Sequence, residues 1–270
     1  MNRTILITGG SRGLGLSCVR HFAKLGWNIA ITDLSDEACN VYGELESIDI
    51  LLNDLNKDTK VDFISANLTI EDEAESMINY FIGRYKKIDA VVNFAGGDIK
   101  GDDDRASGGK CKNNTILADN KDFLSVFNRN FLTTLYTCRS LIPHMKSNNF
   151  GKILNVSSVS AGIGVDKETS YSISKASIIH LTRCLAVELR EHGINVNCIA
   201  PSATNTGRFQ ATLKHRTKQD LIRLESKNRL ERIAEPEDIC KVVEFFISPA
   251  SDFVSGQILR VDGGQFTSAI

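Results

Sequence analysis

Strand-like and helix-like segments alternate from one end of this chain to the other, which predicts an α/β fold. The expected architecture is a doubly wound parallel sheet with helices on both faces. Three observations carry it. Short apolar runs recur at 3–8, 27–32, 61–65, 88–94, 152–157, 196–200 and 257–261. Amphipathic stretches lie between them, at 16–25, 70–85, 121–146, 170–191, 220–226 and 236–248. The first run leads through a glycine-rich turn, 9–15, straight into the first amphipathic stretch. Strands separated by helices imply βαβ units, because parallel neighbours need a long crossover. Such a sheet is buried on both sides.

In order, the first run is followed by Gly9–Gly15 and a helix to about Leu25, and the second strand ends at Asp33. Residues 35–55 read as polar and amphipathic, and the helix at 70–85 opens on Glu71, Asp72 and Glu73, which suits the positive end of a helix dipole. With 270 residues, no internal repeat and no linker rich in Pro, Gly or Ser, the expectation is a single domain over 1–270. The one compositional break is 97–120, with Asp102-Asp103-Asp104, Gly108-Gly109, Cys111 and Asn113-Asn114. It follows the carboxyl end of the fourth strand, the side on which open α/β sheets bind ligands. It reads as a solvated insertion or as a substrate-covering lid. It lacks histidine and ligand spacing, so no metal site is expected.

Composition narrows the function classes. A hydrophobic share of 42% and a charged share of 24% are those of a soluble globular protein. A net charge of −1 gives no reason to expect nucleic acid or an anionic membrane as partner. No apolar run approaches the roughly 20 residues of a membrane span, and the first strand begins too early for a signal or transit peptide. The seven scattered cysteines contain no C-x-x-C and read as free thiols of a reducing cytoplasm. The five histidines fall at no position with an evident catalytic partner.

Thr8-Gly9-Gly10-Ser11-Arg12-Gly13-Leu14-Gly15 joins a strand to a helix. Glycines there let the backbone approach a pyrophosphate, and the helix N-terminus supplies N–H groups and partial positive charge. The spacing is neither G-x-G-x-x-G nor a P-loop. Asp33, at the end of the second strand, can accept both ribose hydroxyls of an adenosine and would repel a 2′-phosphate, which favours NAD. Arg12 pulls toward NADP, since a guanidinium in this turn can pair with a 2′-phosphate. Tyr171 and Lys175 stand four apart, on one face of the predicted helix. A phenol of pKa about 10 is a poor proton carrier at neutral pH, and a neighbouring ammonium lowers that value.

These motifs together resemble the short-chain dehydrogenase/reductase family over essentially the whole chain. The turn fits T-G-x-x-x-G-x-G, and Asn93-Phe94-Ala95-Gly96 fits N-N-A-G with Phe94 in place of the second Asn. Asn130 fits the helix asparagine upstream of Pro143-His144-Met145. Asn155-Val156-Ser157-Ser158 fits N-x-S-S, and Tyr171 with Lys175 fits Y-x-x-x-K. Asn197-Cys198-Ile199-Ala200-Pro201 and the run from Ser255-Gly256-Gln257 to Asp262-Gly263-Gly264 fit the C-terminal signatures.

The resemblance implies a Rossmann-like fold and an oxidoreductase that interconverts a secondary alcohol and a ketone with NAD or NADP. The catalytic set would be Asn130, Ser158, Tyr171 and Lys175. Tyr171 would exchange the proton, Lys175 would depress its pKa and bond the nicotinamide ribose, Ser158 would hold the substrate oxygen, and Asn130 would hold a water relay. The dinucleotide would meet Gly9, Ser11, Arg12, Gly13, Leu14, Gly15, Asp33, Asn67, Leu68, Asn93, Ala95, Gly96, Tyr171, Lys175, Pro201, Ser202 and Thr206. Asn67 stands where many members have an Asp that meets the adenine amine, and its side-chain carbonyl can accept the same bond. Ser202 stands where the family has glycine. The segment 203–227 matches the region that closes over substrate. Its basic residues Arg208, Lys214, His215, Arg216 and Lys218 would meet an anionic substrate or form a solvated face. A small polar substrate is expected, a sugar, polyol or hydroxy acid, and a homo-oligomer, tetramer or dimer. The alternatives are an NADPH-dependent 3-oxoacyl reductase and, in another class, a catalytically retired dinucleotide-binding regulator.

Overall fold

The computed structural model describes residues 3–57, 59–97, 115–166, 168–213 and 216–267. The chain runs β1 (Thr4–Thr8), α1 (Gly13–Lys24), β2 (Asn28–Asp33), α2 (Ile48–Leu55), β3 (Val61–Ser65), α3 (Glu71–Tyr85) and β4 (Ala90–Asn93). It continues α4 (Asn120–Ser147), β5 (Gly151–Val156), α5 (Thr169–Leu189), β6 (Ile194–Pro201), α6 (Gly207–Ala211), α7 (Lys218–Glu225), α8 (Pro236–Ile247) and β7 (Ile258–Val261). The strands form one parallel sheet in the order β3-β2-β1-β4-β5-β6-β7. Ile5 of β1 pairs with Ile29 of β2 on one side and Ala90 of β4 on the other. The chain therefore winds outward to β3, returns beside β1, and winds outward again to β7. The winding reverses between β1 and β4, which is where open α/β sheets form a ligand crevice.

Successive strand residues face opposite sides of the sheet. Ile5, Ile7, Ile29, Ile31 and Val92 pack with Val19 and Phe22 of α1 and Val243 and Phe246 of α8. Leu6, Ala30, Val91 and Ile153 pack on the other face with Met77 and Phe81 of α3, Leu141 of α4 and Leu189 of α5. Each fully buried Leu, Ile or Phe removes enough apolar surface from water to stabilise the fold by about 1.5–3 kcal/mol.

Most expected elements fall within one or two residues of those observed, and three differ for physical reasons. The 35–55 stretch splits into a 3-10 turn at Asp36–Asn40 and a fresh helix at Ile48. Gly43, at φ +66°, turns the chain between them, and Ser47 restarts the helix by accepting the Ile50 N–H. The strand expected at 88–94 is only Ala90–Asn93, because its neighbour β1 begins at Thr4 and the Phe94 N–H turns back to the Val92 carbonyl. The five-residue helix α6 was not expected and is capped by the Thr206 hydroxyl. Residues 98–114 of the polar insertion, with Cys111, lie outside the described residues, as do Lys214 and His215.

A buried polar chain fixes α5 to the sheet. Asn93 Nδ2 donates to Asn155 Oδ1 at 2.9 Å, and Asn155 Nδ2 donates to Thr182 Oγ1 at 2.9 Å. The Thr182 hydroxyl donates in turn to the Ile178 carbonyl at 2.9 Å. None of Asn93, Asn155 and Thr182 is more than 2% exposed. Asn155→Ala is expected to lower unfolding free energy by about 2–4 kcal/mol, because it strands a buried amide donor on Asn93 and removes the donor to Thr182. Urea denaturation reads it; a loss below about 0.5 kcal/mol contradicts the linkage.

Candidate functional site

A cleft of about 1040 Å³ opens at the carboxyl ends of the central strands. Its floor is the glycine turn, whose local geometry admits little but glycine. Gly9 and Gly13 adopt φ +64° and +57°, a region that disfavours side chains. A Cβ on Gly9 would lie 2.9 Å from the Ala95 nitrogen, and one on Gly15 would collide with the Gly9 carbonyl. The Ala95 N–H donates to the Thr8 hydroxyl at 3.1 Å, which ties the ends of β1 and β4 together.

Glu44 tests whether this floor accepts anions. Its carboxylate accepts the Gly13 N–H at 2.9 Å and the Gly207 N–H at 3.0 Å, at the N-termini of α1 and α6. The two helix ends and their main-chain donors thus already hold a carboxylate of this chain, as phosphate oxygens would be held. Thr206 borders the same place, 3.9 Å from where a Gly13 side chain would begin. The Ser202 hydroxyl is buried in the cleft wall with no hydrogen-bond partner among the described residues. The glycine floor, the anion-holding amides and this orphaned hydroxyl all fit a nicotinamide dinucleotide.

Asp33 ends β2 on the cleft wall and is 8% exposed. One oxygen accepts the Ser11 hydroxyl at 2.5 Å and the Ser11 N–H at 3.3 Å; the other accepts the Leu34 N–H at 2.9 Å. Arg12 rests over the Tyr42 ring, 5.6 Å from its centroid.

At the other end, Lys175 is 4% exposed and donates from Nζ to the Val156 carbonyl at 2.9 Å. Burial pushes its pKa down to about 8, and the Arg208 guanidinium lowers it further. Burial also pushes the Cys198 thiol up to about 12, so that group stays neutral. Nζ sits 5.7 Å from the centroid of the Tyr171 ring, one helical turn away. The Ser157 hydroxyl donates to the Lys175 carbonyl at 2.8 Å and fixes this turn of α5 on β5. Ser158 caps a short 3-10 turn; its Oγ accepts the Ser160 N–H at 3.3 Å and the Ser160 hydroxyl at 3.0 Å. With its lone pairs so used, the Ser158 proton is left to donate.

The cleft brings together Ser158, Tyr171 and Lys175 with Gly9, Arg12, Gly13, Leu14, Gly15, Asp33, Asn67, Leu68, Ala95, Gly96, Pro201, Ser202 and Thr206. Three expected site residues lie behind it instead. Ser11 is fully buried and orients Asp33. Asn93 belongs to the buried amide chain. Asn130 spends its whole side chain on backbone: Oδ1 accepts the Gly97 N–H at 2.9 Å, while Nδ2 donates to Gly97 O at 3.0 Å and Val126 O at 2.8 Å. Its side chain therefore positions Gly97. Asn67 also differs from expectation. Its carbonyl oxygen already accepts the Thr69 N–H at 3.1 Å and hydroxyl at 2.7 Å, so it offers the cleft an amide donor rather than an acceptor. Tyr42 and Glu44 were missed, since no spacing singles them out in a polar stretch.

A family model described as Enoyl-(Acyl carrier protein) reductase matches residues 9–265. The 3-oxoacyl-[acyl-carrier-protein] reductase of Chlamydia pneumoniae is 31% identical over 98% of this chain and 97% of its own length. The solved structure of ElxO with NADP bound superposes with a TM-score of 0.82 at 25% identity, covering 98% of each chain. A 7α-hydroxysteroid dehydrogenase complexed with NADH and 7-oxo glycochenodeoxycholic acid gives 0.82 at 27% identity, covering 97% of this chain and 93% of that one.

The Glu44 carboxylate occupies the Gly13 and Gly207 amides, so a phosphate seated on them would have to displace it against its charge. Glu44→Gln is expected to tighten NADH binding by about fivefold or more, as removal of a like charge near a phosphate predicts. Fluorescence titration of NADH measures it, and weaker binding in the variant refutes the competition.

Proposed function

The chain belongs to the short-chain dehydrogenase/reductase family, and on that premise we propose how its cleft carries out NAD(P)-dependent oxidoreduction at a CH–OH group. The observation that carries the reading is the buried Lys175 ammonium, held on the Val156 carbonyl one helical turn from Tyr171. A bound nicotinamide supplies the hydride acceptor for alcohol oxidation or the donor for ketone reduction. Tyr171 takes the proton from the substrate hydroxyl in oxidation and returns it to the carbonyl oxygen in reduction. Lys175 places positive charge beside the ring, which stabilises the phenolate and brings the phenol toward working pH. The Ser158 hydroxyl donates to the same substrate oxygen and orients it. Asn130 acts through Gly97, as a positioning residue, and Ser11 acts through Asp33. The domain assignment is one dinucleotide-binding unit over the whole chain, working on a small polar alcohol or ketone in the cytoplasm. Among the described residues no helix is long and apolar enough to cross a membrane.

NAD is the assigned dinucleotide, because Asp33 faces the cleft at the end of β2 and a partly desolvated carboxylate repels a 2′-phosphate. Arg12 supports a second reading, an NADPH-dependent 3-oxoacyl reductase, since its guanidinium lies in the same turn. Titration with NADH and NADPH decides between them. A tighter Kd for NADH is expected, and Asp33→Ala should erode that preference by about tenfold, the value of one charge-assisted contact. NADPH preference abolished in Arg12→Ala would reverse the assignment.

Tyr171→Phe is expected to lower kcat by roughly 10²- to 10⁴-fold, the usual contribution of a positioned acid or base, with the melting temperature little changed. In Lys175→Met the rising limb of the pH profile for alcohol oxidation should move up. Oxidation needs the basic form of Tyr171, and the lost ammonium no longer favours it. Lys175 also bears on stability. Its folded pKa of about 8 lies below the unfolded value of about 10.4, so burying the charge costs stability below pH 8. That penalty lifts as pH rises from the folded to the unfolded value. Lys175→Met is therefore expected to melt higher than the wild type at pH 7 while turning over more slowly. A lower melting point at pH 7 together with an unmoved limb contradicts the assigned role.

A further inference from the structure

The reacting end of the cleft holds more positive charge than proton transfer at Tyr171 requires. Of the described basic residues in 203–227, Lys218 and Lys227 are exposed to solvent, Arg223 is buried at the cleft with its guanidinium on the Glu231 and Arg232 carbonyls and Gln265 Oε1, and Arg208 and Arg216 line the cleft half-buried. Arg208 follows directly on the Thr206 cap of α6, and its Nη1 fills the space a side chain on Gly97 would need, 2.5 Å from the Cβ position. Gly97 is itself clamped by Asn130, so the guanidinium rests on a fixed surface. Arg216 donates from Nε to the Thr212 hydroxyl at 2.9 Å and lies 4.5 Å over the Phe209 ring. One N–H of its five is thereby committed and the plane of the group is set, which leaves a planar fork of donors suited to an oxyanion.

Among the described residues neither guanidinium forms an ion pair with a carboxylate. Asp220 attracts Arg216 from a distance, while Arg208 repels both Arg216 and Lys175, and Tyr171 lies within the same electrostatic reach. Three cations gathered in a partly dehydrated cleft disfavour one another unless an anion joins them. The phosphates of a dinucleotide have their own donors in the amides of Gly13 and Gly207. We propose that Arg208 and Arg216 bind an oxyanion carried by the substrate, a carboxylate or a phosphate ester, so that the enzyme selects hydroxy acids and their like over neutral alcohols. The proposal rests on the reading that Tyr171 acts on a substrate hydroxyl or carbonyl, and it names the second handle by which that substrate is held.

Matched pairs test it: gluconate against glucitol and 3-hydroxybutyrate against 2-butanol, oxidised with NAD, with malonate binding to the NADH-loaded protein followed by calorimetry. The wild type is expected to prefer the anionic member of at least one pair by about 100-fold in kcat/KM. In Arg216→Gln that ratio should fall by about 10- to 100-fold through KM, the worth of one charge-assisted contact. Arg216→Lys should recover part of it, and malonate binding should weaken in parallel. Arg208→Gln should behave alike, with the NADH Kd in each variant within about threefold of the wild type, a small shift on the free-energy scale. Equal use of both members of every pair overturns the proposal. So does an NADH affinity that falls as far as malonate affinity, which assigns the two charges to the cofactor's phosphates. If malonate binds and Arg216→Gln abolishes it while no pair is turned over, the anion site stands and the alcohol-oxidation reading falls. Turnover of neutral alcohols without malonate binding gives the reverse.

Discussion

A lysine ammonium buried at the carboxyl end of β5 is the constraint on which the rest of the site depends. Burying such a charge is costly, and Lys175 is offset by one strong hydrogen bond, to the Val156 carbonyl at 2.9 Å. That bond has value only if α5 stays fixed against β5. The Ser157 hydroxyl on the Lys175 carbonyl and the Asn93–Asn155–Thr182 chain supply that fixity from two sides. These four residues sit at or just beyond the ends of β4 and β5 or on the buried face of α5, and both strands lie inside the sheet, away from its edges. The cost remains visible in the lysine's pKa of about 8. A stability penalty kept at a single buried cation is typical of a group retained for chemistry rather than for folding.

The cleft lies where the winding reverses, and its two sides are held together by side chains bonded to main-chain amides. Thr8 links β1 to β4 through the Ala95 N–H, and Asn130 clamps Gly97, which follows β4. Glu44 spans from the glycine turn to α6 across the opposite rim. The last of these differs in kind from the others. A carboxylate bridging two helix N-termini satisfies donors that would otherwise need water or a ligand. A phosphate seated on those amides would have to exchange for these bonds on entry.

The sheet and most of its helices were legible because apolar periodicity is dictated by burial, and burial is nearly complete on both faces of the central strands. The misjudged places are those where a local turn overrides periodicity: Gly43 splitting the 35–55 stretch, Phe94 turning out of β4, and Thr206 starting a helix of one turn and a half. The site was legible at the level of position and less so at the level of direction. Ser11, Asn93 and Asn130 sit in motifs as readable as those of Tyr171 and Lys175, yet their side chains point into the protein and brace it. A motif records that a residue type is required at a place, and a buried brace is required as strictly as a ligand. Asn67 shows the same limit, its oxygen drawn back onto Thr69. Glu44 left no trace in the sequence, since its partners are main-chain amides that any residue could supply.

A net charge of −1 conceals an uneven distribution along the cleft. Asp33 and Glu44 border the glycine turn, where Arg12 also lies, while Lys175, Arg208 and Arg216 gather at the reacting end with Asp220 near Arg216. An elongated ligand that is less anionic at one end than at the other is oriented by such a field before any short-range contact forms. The same distribution links binding to chemistry. Arg208 lowers the pKa of Lys175, so any anion seated beside Arg208 weakens that repulsion and favours the charged lysine. A charged Lys175 is the state that stabilises the Tyr171 phenolate. With an anion on the proposed site, substrate charge and proton transfer would be coupled through one guanidinium, and a neutral substrate would lack that coupling.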